Sequence, residues 1–307
     1  QDYTDFELIL VDDGSKDDSP TIADAAAVSD DRVRVIHKPN GGLLSARKAA
    51  VTQARGEYFV FWDSDDLIPP NALSLLYHAV CSNGGYDLVK GTGKRLLDNG
   101  QLIDLESYPI GEIHSSHEYQ VKQYKGEISP YIWNGIYRAS LFSEEIYDIS
   151  LAHRISIGED YVTNVLLGKK VHRALVIDEV VYYYRYNQAS MMNTAVVSLE
   201  YHKRLDLVFE KMGLYENEDL RNIRDSKYIG CVLSCCFKPE LSFPYEDYKK
   251  VRTLIDQNGS VVLNKQFINP KFSVFVTNRL LYYLYSRCYC FLFKYIKLKG
   301  KTRSIIY

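Results

Sequence analysis

The chain has 307 residues, of which 46% are hydrophobic and 25% are charged, and its formal net charge is -2 at pH 7. This composition is typical of a globular protein with enough residues for one large core or two smaller ones, and it excludes an intrinsically disordered chain. Because the net charge is close to zero and no Cys/His spacing of a zinc module is present, we expect no nucleic-acid partner.

Strand and helix patterns alternate along the first 80 residues. Three strand–helix pairs are predicted, in this order: strand 6–11 with helix 20–28 capped by Ser19, strand 33–36 with helix 45–54 capped by Ser45, and strand 58–62 with helix 71–81. Such alternation indicates an α/β protein with a Rossmann-like, mostly parallel sheet and helices on both faces.

Acidic residues follow the first and the third of these strands. Asp12 and Asp13 come after residues 6–11, and Asp63-Ser64-Asp65-Asp66 comes after residues 58–62. Since ligands of parallel sheets bind at the carboxyl ends of strands, we expect both runs on one rim. Strand alternation would place Asp63 and Asp65 on the same side, and paired carboxylates suit Mg²⁺ or Mn²⁺. The alternative is an acidic turn that serves only as loop punctuation.

The pattern loosens after residue 96 into short strands and loops. Glu159 and Asp160 precede the amphipathic stretch 161–167, where the amino end of a helix favours acidic side chains. A strand is predicted at residues 180–186. Helices of a C-terminal bundle are predicted at 199–212, 220–236 and 248–257.

The last segment is hydrophobic but interrupted by charge. Residues 272–296 consist largely of Phe, Leu, Tyr, Val and Cys, yet they contain Arg279 and Arg287 and are followed by a lysine-rich stretch. These charges argue against a membrane-spanning helix. A membrane-interfacial segment over residues 272–303 that faces anionic lipid is one interpretation, and a docked core helix or a partner interface are the others.

Five short motifs follow one another at fixed separations. They are Phe6 to Ser15, Asn40-Gly41-Gly42 with Ser45-Ala46-Arg47, Gly56-Glu57-Tyr58 leading into Asp63-Ser64-Asp65-Asp66, Gly158-Glu159-Asp160, and Tyr183-Tyr184-Arg185. In this order they resemble the family 2 glycosyltransferases of GT-A fold, of the bacterial polysaccharide or capsule type. The resemblance covers residues 1–195, with a donor-binding half at 1–95 and an acceptor half at 96–195. Residues 196–307 remain as a helical C-terminal region.

The resemblance implies a metal-dependent enzyme that transfers a sugar from a nucleotide-sugar, with UDP as the expected nucleotide, to an acceptor hydroxyl with inversion. Mn²⁺ or Mg²⁺ is the implied cofactor, and a glycan or lipid-linked glycan of surface polysaccharide synthesis is the implied acceptor. No signal peptide is visible and the cysteines form no CxxC pair, so we expect a cytoplasmic location. If residues 272–303 bind lipid, the protein would be peripheral at the inner face of the plasma membrane.

The resemblance also implies roles for individual carboxylates. Asp65 would be the principal metal ligand, with Asp63 beside it and in contact with the ribose or donor sugar. Asp13 would hold the nucleotide base, since a carboxylate accepts hydrogen bonds. Asp160 would be the catalytic base, with Glu159 orienting the acceptor or the helix. The alternative for the last two is that they only counter the dipole of the helix that follows.

Four further residues are assigned through the same resemblance. Arg47 and Arg185 are expected to contact the diphosphate, against the alternatives of a solvated helix arginine and a strand-end surface arginine. Trp133 and Asn134 are expected on the acceptor side, with a core tryptophan as the alternative. The strand and helix with which family members normally begin are missing before residue 6, so the sequence is interpreted as a fragment or a degenerate member.

Two other classes of function stay open. A nucleotidyltransferase would also place carboxylates and a metal at such a rim, although the sequence has no glycine-rich basic loop for a triphosphate. A non-catalytic nucleotide-sugar or carbohydrate-binding protein could share the fold, because fold alone does not determine function.

Overall fold

Three strand–helix pairs form the beginning of the chain, as the sequence predicts. In this computed structural model, residues 1–186, 199–235 and 245–257 are described. The first elements are β1 (Leu8–Asp12), α1 (Ser19–Ser29), β2 (Val33–His37), α2 (Leu43–Gln53), β3 (Tyr58–Val60) and α3 (Ala72–Cys81). Each lies within two residues of its predicted start.

Shorter strands and helices follow up to residue 186. They are β4 (Leu88–Leu96), β5 (Leu102–Asp104), β6 (Gly111–Ile113), α4 (Ser116–Lys125), β7 (Gly135–Arg138), α5 (Glu144–Ala152), α6 (Glu159–Leu167) and β8 (Ala174–Arg185). Helix α6 begins at the two acidic residues that the sequence placed at a helix start.

The strands form two sheets. β1 and β2 pair in parallel, and the other six strands form a mixed sheet in the order β3-β7-β4-β8-β6, with β5 paired to β4. Among the described strand pairs of the mixed sheet, only β4 and β8 are parallel. The α/β class with flanking helices is confirmed, but the mostly parallel directions need correction. The reason is that β7 lies between β3 and β4 and is antiparallel to both. The parallel strand order expected from strand–helix alternation therefore does not continue beyond α3.

The core of this part lies between α3 and the mixed sheet. Leu76 and Val80 of α3 are completely buried and pack with residues of three sheet strands, Val89, Ile136 and Val181. Burial of this helix face fixes the position of β3 and of the loop that follows it. That loop carries Asp63, Asp65 and Asp66.

The start of α2 differs from its prediction. The helix begins at Leu43, so Ser45 lies inside the first turn and Gly42 is the N-cap residue, with φ at 82°. Glycine adopts this left-handed backbone conformation without steric cost. The backbone N–H groups of Gly41 and Gly42 donate hydrogen bonds to the carboxylate of Asp13, which follows β1. These bonds connect the amino end of α2 to the end of that strand.

The chain divides into two compact units, residues 1–196 with 207–212, and residues 197–206 with 213–307. Helices α7 (Leu199–Lys211), α8 (Glu218–Cys235) and α9 (Tyr245–Gln257) occupy the later part, close to the predicted bounds. Asp247 of α9 pairs with Lys203 of α7 at 2.9 Å and accepts a hydrogen bond from Tyr228 of α8 at 2.8 Å.

Within the ranges given above, none of the helices is both long and apolar enough to cross a membrane. The predicted membrane-interfacial segment, residues 272–303, lies outside the described residues.

Candidate functional site

A buried arginine lies among acidic side chains from distant parts of the sequence. Arg47 of α2 is only 7% exposed. Its Nη1 is ion-paired with Asp160 Oδ1 and lies 4.0 Å from Glu159 Oε1, and its Nη2 is 3.4 Å from Asp63 Oδ1. One guanidinium therefore joins α2, the amino end of α6 and the loop after β3. The alternative stated for Arg47, a solvated helix arginine, is wrong.

Burial and mutual repulsion govern the charges in this carboxylate cluster, Asp63, Glu159 and Asp160. Burial raises the pKa of Asp63, Arg47 opposes that shift, and the negative charge of Asp160 adds to it. The pKa of Glu159 is raised by the same two causes, burial and Asp160. Burial alone would lower the pKa of Arg47, but the carboxylates of Asp160 and Asp63 raise it. The guanidinium is therefore a permanent charge in this site.

Asp160 is held from two sides. Arg47 occupies Oδ1, and the backbone N–H of Ile132 donates to Oδ2 at 3.1 Å. A carboxylate has about four lone-pair positions on its two oxygens, so Asp160 can still accept a hydrogen bond from a substrate hydroxyl. Its side chain is 13% exposed. The structure therefore gives Asp160 a fixed orientation and an accessible edge.

The acidic run after β3 forms a turn. β3 ends at Val60, and the N–H of Asp66 donates to the carbonyl of Asp63 at 3.3 Å. The strand-alternation argument for Asp63 and Asp65 is therefore wrong, because these residues are not in an extended strand. Asp63 turns toward Arg47, whereas Asp65 is exposed.

Tyr182 fixes this turn, and the sequence analysis missed it. Its hydroxyl donates to Asp66 Oδ2 at 2.6 Å and accepts the N–H of Asp63 at 3.2 Å. The N–H of Arg185 donates to Asp66 Oδ1 at 2.6 Å. The signal was the tyrosine run of β8, since a buried tyrosine hydroxyl in a strand requires a polar partner.

A divalent cation fits the acidic turn only in part. In residues 1–186 and the two later described ranges, no group of three or more His, Cys, Asp or Glu side chains could hold a metal ion. Mg²⁺, however, is often bound by one or two carboxylates together with substrate phosphates. Asp65 is exposed and the Asp63 side chain is 33% exposed, so both carboxylates reach solvent.

The remaining predicted nucleotide contacts, Asp13 and Arg185, lie at the ends of strands in different sheets, β1 of the two-stranded sheet and β8 of the mixed sheet. Asp13 accepts hydrogen bonds from Gly41, Gly42 and the ammonium of Lys38, so much of its capacity is used within the protein. Arg185 is exposed at the carboxyl end of β8, next to Asp66. Of the two arginines, Arg185 is thus the one whose side chain faces solvent.

The two predicted acceptor-side residues lie in the core. Trp133 is 5% exposed, and its ring stacks on Tyr131 at 4.8 Å and on Tyr182 at 4.3 Å between centroids. The Asn134 amide donates to the carbonyl of Gly91 at 2.8 Å. Trp133 is therefore a core tryptophan, which was the alternative given for it, and the half-buried Tyr131 is the ring nearer the surface.

Comparison with known proteins identifies the domain that contains the first part of this site. Residues 1–144 match the family model described as Glycosyl transferase family 2. This part of the chain is a family 2 glycosyltransferase domain. Asp13, Arg47 and the acidic turn lie within the matched residues, and the fold class expected from the sequence is confirmed as GT-A.

Bacterial glycosyltransferases are similar to the chain over larger parts of its length. The uncharacterized glycosyltransferase EpsJ of Bacillus subtilis (strain 168) is 32% identical over 194 residues, 62% of this chain and 56% of EpsJ. EpsH of the same strain is 29% identical over 226 residues, 70% of this chain and 60% of EpsH. The chain thus spans less than two thirds of the length of these two relatives.

A solved structure has a similar fold. The crystal structure of S. aureus TarS 1-349 in complex with UDP-GlcNAc has a TM-score of 0.60 and 19% sequence identity, and the match covers 100% of this chain and 87% of that one. At this identity the likeness concerns the fold.

Replacement of Tyr182 by Phe tests how the acidic turn is held. Tyr182→Phe removes one hydroxyl that bridges Asp66 and Asp63, so we expect the free energy of unfolding to fall by about 1–3 kcal/mol. Urea denaturation measures the change. Tyr119→Phe is the matched control, because Tyr119 is equally buried and its hydroxyl has no hydrogen-bond partner among the described residues. Equal losses in the two variants would contradict the assigned contacts.

Proposed function

We propose that the protein transfers a sugar from a nucleotide-sugar, with UDP as the nucleotide, to an acceptor hydroxyl with inversion of the anomeric carbon. The observation that carries the proposal is the Arg47 cluster, which brings Asp63 of the donor half close to Asp160 of the acceptor half. TarS, which shares the fold, was crystallised with UDP-GlcNAc, and this supports a nucleotide-sugar donor.

Inverting transfer requires one base on the face of the sugar opposite the leaving group. In the proposed step the acceptor oxygen bonds to the anomeric carbon, and Asp160 takes its proton. The bond from that carbon to the diphosphate oxygen breaks, and the nucleoside diphosphate leaves with the electron pair. Glu159 would orient the acceptor beside Asp160.

The leaving diphosphate gains negative charge as the bond breaks. Asp65 and Asp63 would hold Mn²⁺ or Mg²⁺, which when bound neutralises part of that charge. Arg185 would contact the diphosphate directly from the end of β8. Arg47 could do so only by leaving its carboxylate partners, so we assign it to the carboxylates.

The remaining proposed contacts concern the nucleotide base and the acceptor. Asp13 would contact the nucleotide base with the part of its carboxylate that the α2 turn leaves open. Trp133 and Asn134 would support the acceptor side from the core, and the ring of Tyr131, which stacks on Trp133, would lie nearer the acceptor. The acceptor would be a glycan or a lipid-linked glycan in surface polysaccharide synthesis, with a peripheral membrane contact at the inner face of the plasma membrane if residues 272–303 supply one.

The test of the function is a panel of nucleotide-sugars with Mn²⁺, scored for transfer, for hydrolysis and for UDP binding. Transfer or hydrolysis with at least one donor is the expected result. Tight binding without turnover of any donor would favour the non-catalytic carbohydrate- or nucleotide-sugar-binding alternative.

Removal of the proposed base separates chemistry from binding. Asp160→Asn keeps the shape of the side chain but cannot take a proton at neutral pH, so kcat should fall by about 10²–10⁴-fold while UDP affinity stays unchanged. Calorimetric titration with UDP and initial rates give the two quantities. Asp148→Asn is the control, since it removes an ion pair with Lys48 elsewhere in the same unit. Full turnover in Asp160→Asn would exclude this residue as the base.

Removal of the proposed metal ligand tests the cofactor. Asp65→Asn should weaken the Mn²⁺-dependent part of UDP affinity by about tenfold or more, equivalent to about 1.4 kcal/mol. The measurement compares UDP binding with Mn²⁺ and with EDTA. Asp98→Asn, a change at another exposed aspartate, should behave as the parent protein. If Asp65→Asn kept the whole Mn²⁺ effect, Asp65 would not be a metal ligand.

A further inference from the structure

One buried lysine has no place in the proposed chemistry so far. Lys90, in β4, has 0% exposure. The two apolar residues that precede it, Leu88 and Val89, belong to the core. Its ammonium donates to the carbonyl of Tyr131 and to the hydroxyl of Tyr137. Within the described ranges it forms no ion pair at 4.0 Å or less. A buried lysine with such partners is costly, so the position calls for a physical reason.

One partner of Lys90, Tyr131, belongs to a short segment in which every carbonyl accepts a side-chain hydrogen bond. In residues 130–132, the carbonyl of Pro130 accepts from Asn164 at 2.8 Å and that of Tyr131 from Lys90. The carbonyl of Ile132 accepts from Tyr137 at 3.1 Å. Three successive carbonyls are thus bound by three buried side chains from β4, β7 and α6.

The fold leaves room for this arrangement at one glycine. A Cβ on Gly135 would lie 3.1 Å from Cδ of Lys90, 3.2 Å from the Tyr137 hydroxyl and 2.8 Å from the carbonyl of Val89. Any larger residue would displace the lysine stem or the strand backbone. The lysine and the glycine therefore form one packed unit with β7.

The fixed segment ends at the proposed base. The N–H of Ile132 donates to Asp160 Oδ2 at 3.1 Å, and Asn164 also donates to the backbone carbonyl of Asp160 at 3.0 Å. Lys90 thus reaches Asp160 through segment 130–132, which it holds directly at the carbonyl of Tyr131 and indirectly, through the Tyr137 hydroxyl, at the carbonyl of Ile132. Since hydrogen bonds in such a buried network depend on one another, loss of one member affects the rest.

We propose that Lys90 is a positioning residue for Asp160: it locks segment 130–132 so that the N–H of Ile132 holds the carboxylate toward the acceptor hydroxyl. This inference rests on the proposed function, because the role of Asp160 as base belongs to that function. Tyr137 and Asn164 are the other two members of the lock.

The protonation state of Lys90 does not decide this role. Burial lowers the pKa of Lys90 to about 7, and the negative charge of Asp160 opposes the shift. A neutral amine still has two N–H groups, one for the carbonyl of Tyr131 and one for the hydroxyl of Tyr137. The lock therefore persists on both sides of neutral pH.

The test measures binding, turnover and the state of Ile132 separately. Lys90→Met has similar length and no donor, so it should lower kcat by about tenfold or more and leave UDP affinity and the KM for the donor within about twofold. In protein labelled with ¹⁵N-isoleucine, exchange of the Ile132 amide with D₂O should speed up by about tenfold or more, because its segment loses its anchor. Tyr137→Phe should change both quantities in the same direction.

Tyr119→Phe is the matched control and should change neither kcat nor exchange at Ile132, because its hydroxyl has no hydrogen-bond partner in the described part of the chain. Unchanged kcat and unchanged Ile132 exchange in Lys90→Met and Tyr137→Phe would overturn the proposal. Should Lys90→Met fail to fold, Tyr137→Phe alone decides. If the parent protein turns over no donor, the proposed function fails, and Ile132 exchange still decides whether Lys90 fixes the segment.

Discussion

One buried ionic contact organises this molecule: the guanidinium of Arg47 against Asp160, with Asp63 and Glu159 around it. Burial of charge is costly, and several carboxylates in one place repel each other, so the group is stable only with its cation in place. Removal of one partner from such a buried pair typically costs 3–5 kcal/mol. The contact joins three segments that are far apart in the sequence, and the geometry of the proposed reaction follows from it.

Hydrogen bonds from neighbouring strands stabilise the same geometry. Tyr182 holds the acidic turn, and Lys90 with its neighbours holds the segment that bonds to Asp160. These supports lie on the strands of the mixed sheet, whereas Asp63 and Asp65 lie on a turn. The arrangement combines side chains fixed on strands with a turn on which Asp65 is exposed.

Local patterns were sufficient for much of the fold and for the position of the acidic residues. Strands β1 to β3 and their helices have clear hydrophobic periodicity, and Glu159 and Asp160 mark a helix start by charge alone. The sequence did not reveal that β7 separates β3 from β4, since strand order depends on contacts distant in the chain. The burial of Arg47 and the partners of Tyr182 were missed for the same reason. Lys90 had a local signal, a charged residue in an apolar strand, but its acceptors lie more than 40 residues away in the chain.

The most direct test of this account is the pH dependence of stability in Arg47→Met, with Arg55→Met as the control at an exposed arginine. Burial already raises the pKa values of Asp63 and Glu159 in the folded parent, and loss of the guanidinium would raise them further, so the stability lost in the variant should shrink as pH falls. Urea unfolding should show a loss of about 3–5 kcal/mol relative to the parent near pH 8 and a smaller loss near pH 5. A loss that is absent, or equal at both pH values, would contradict the central place given to Arg47.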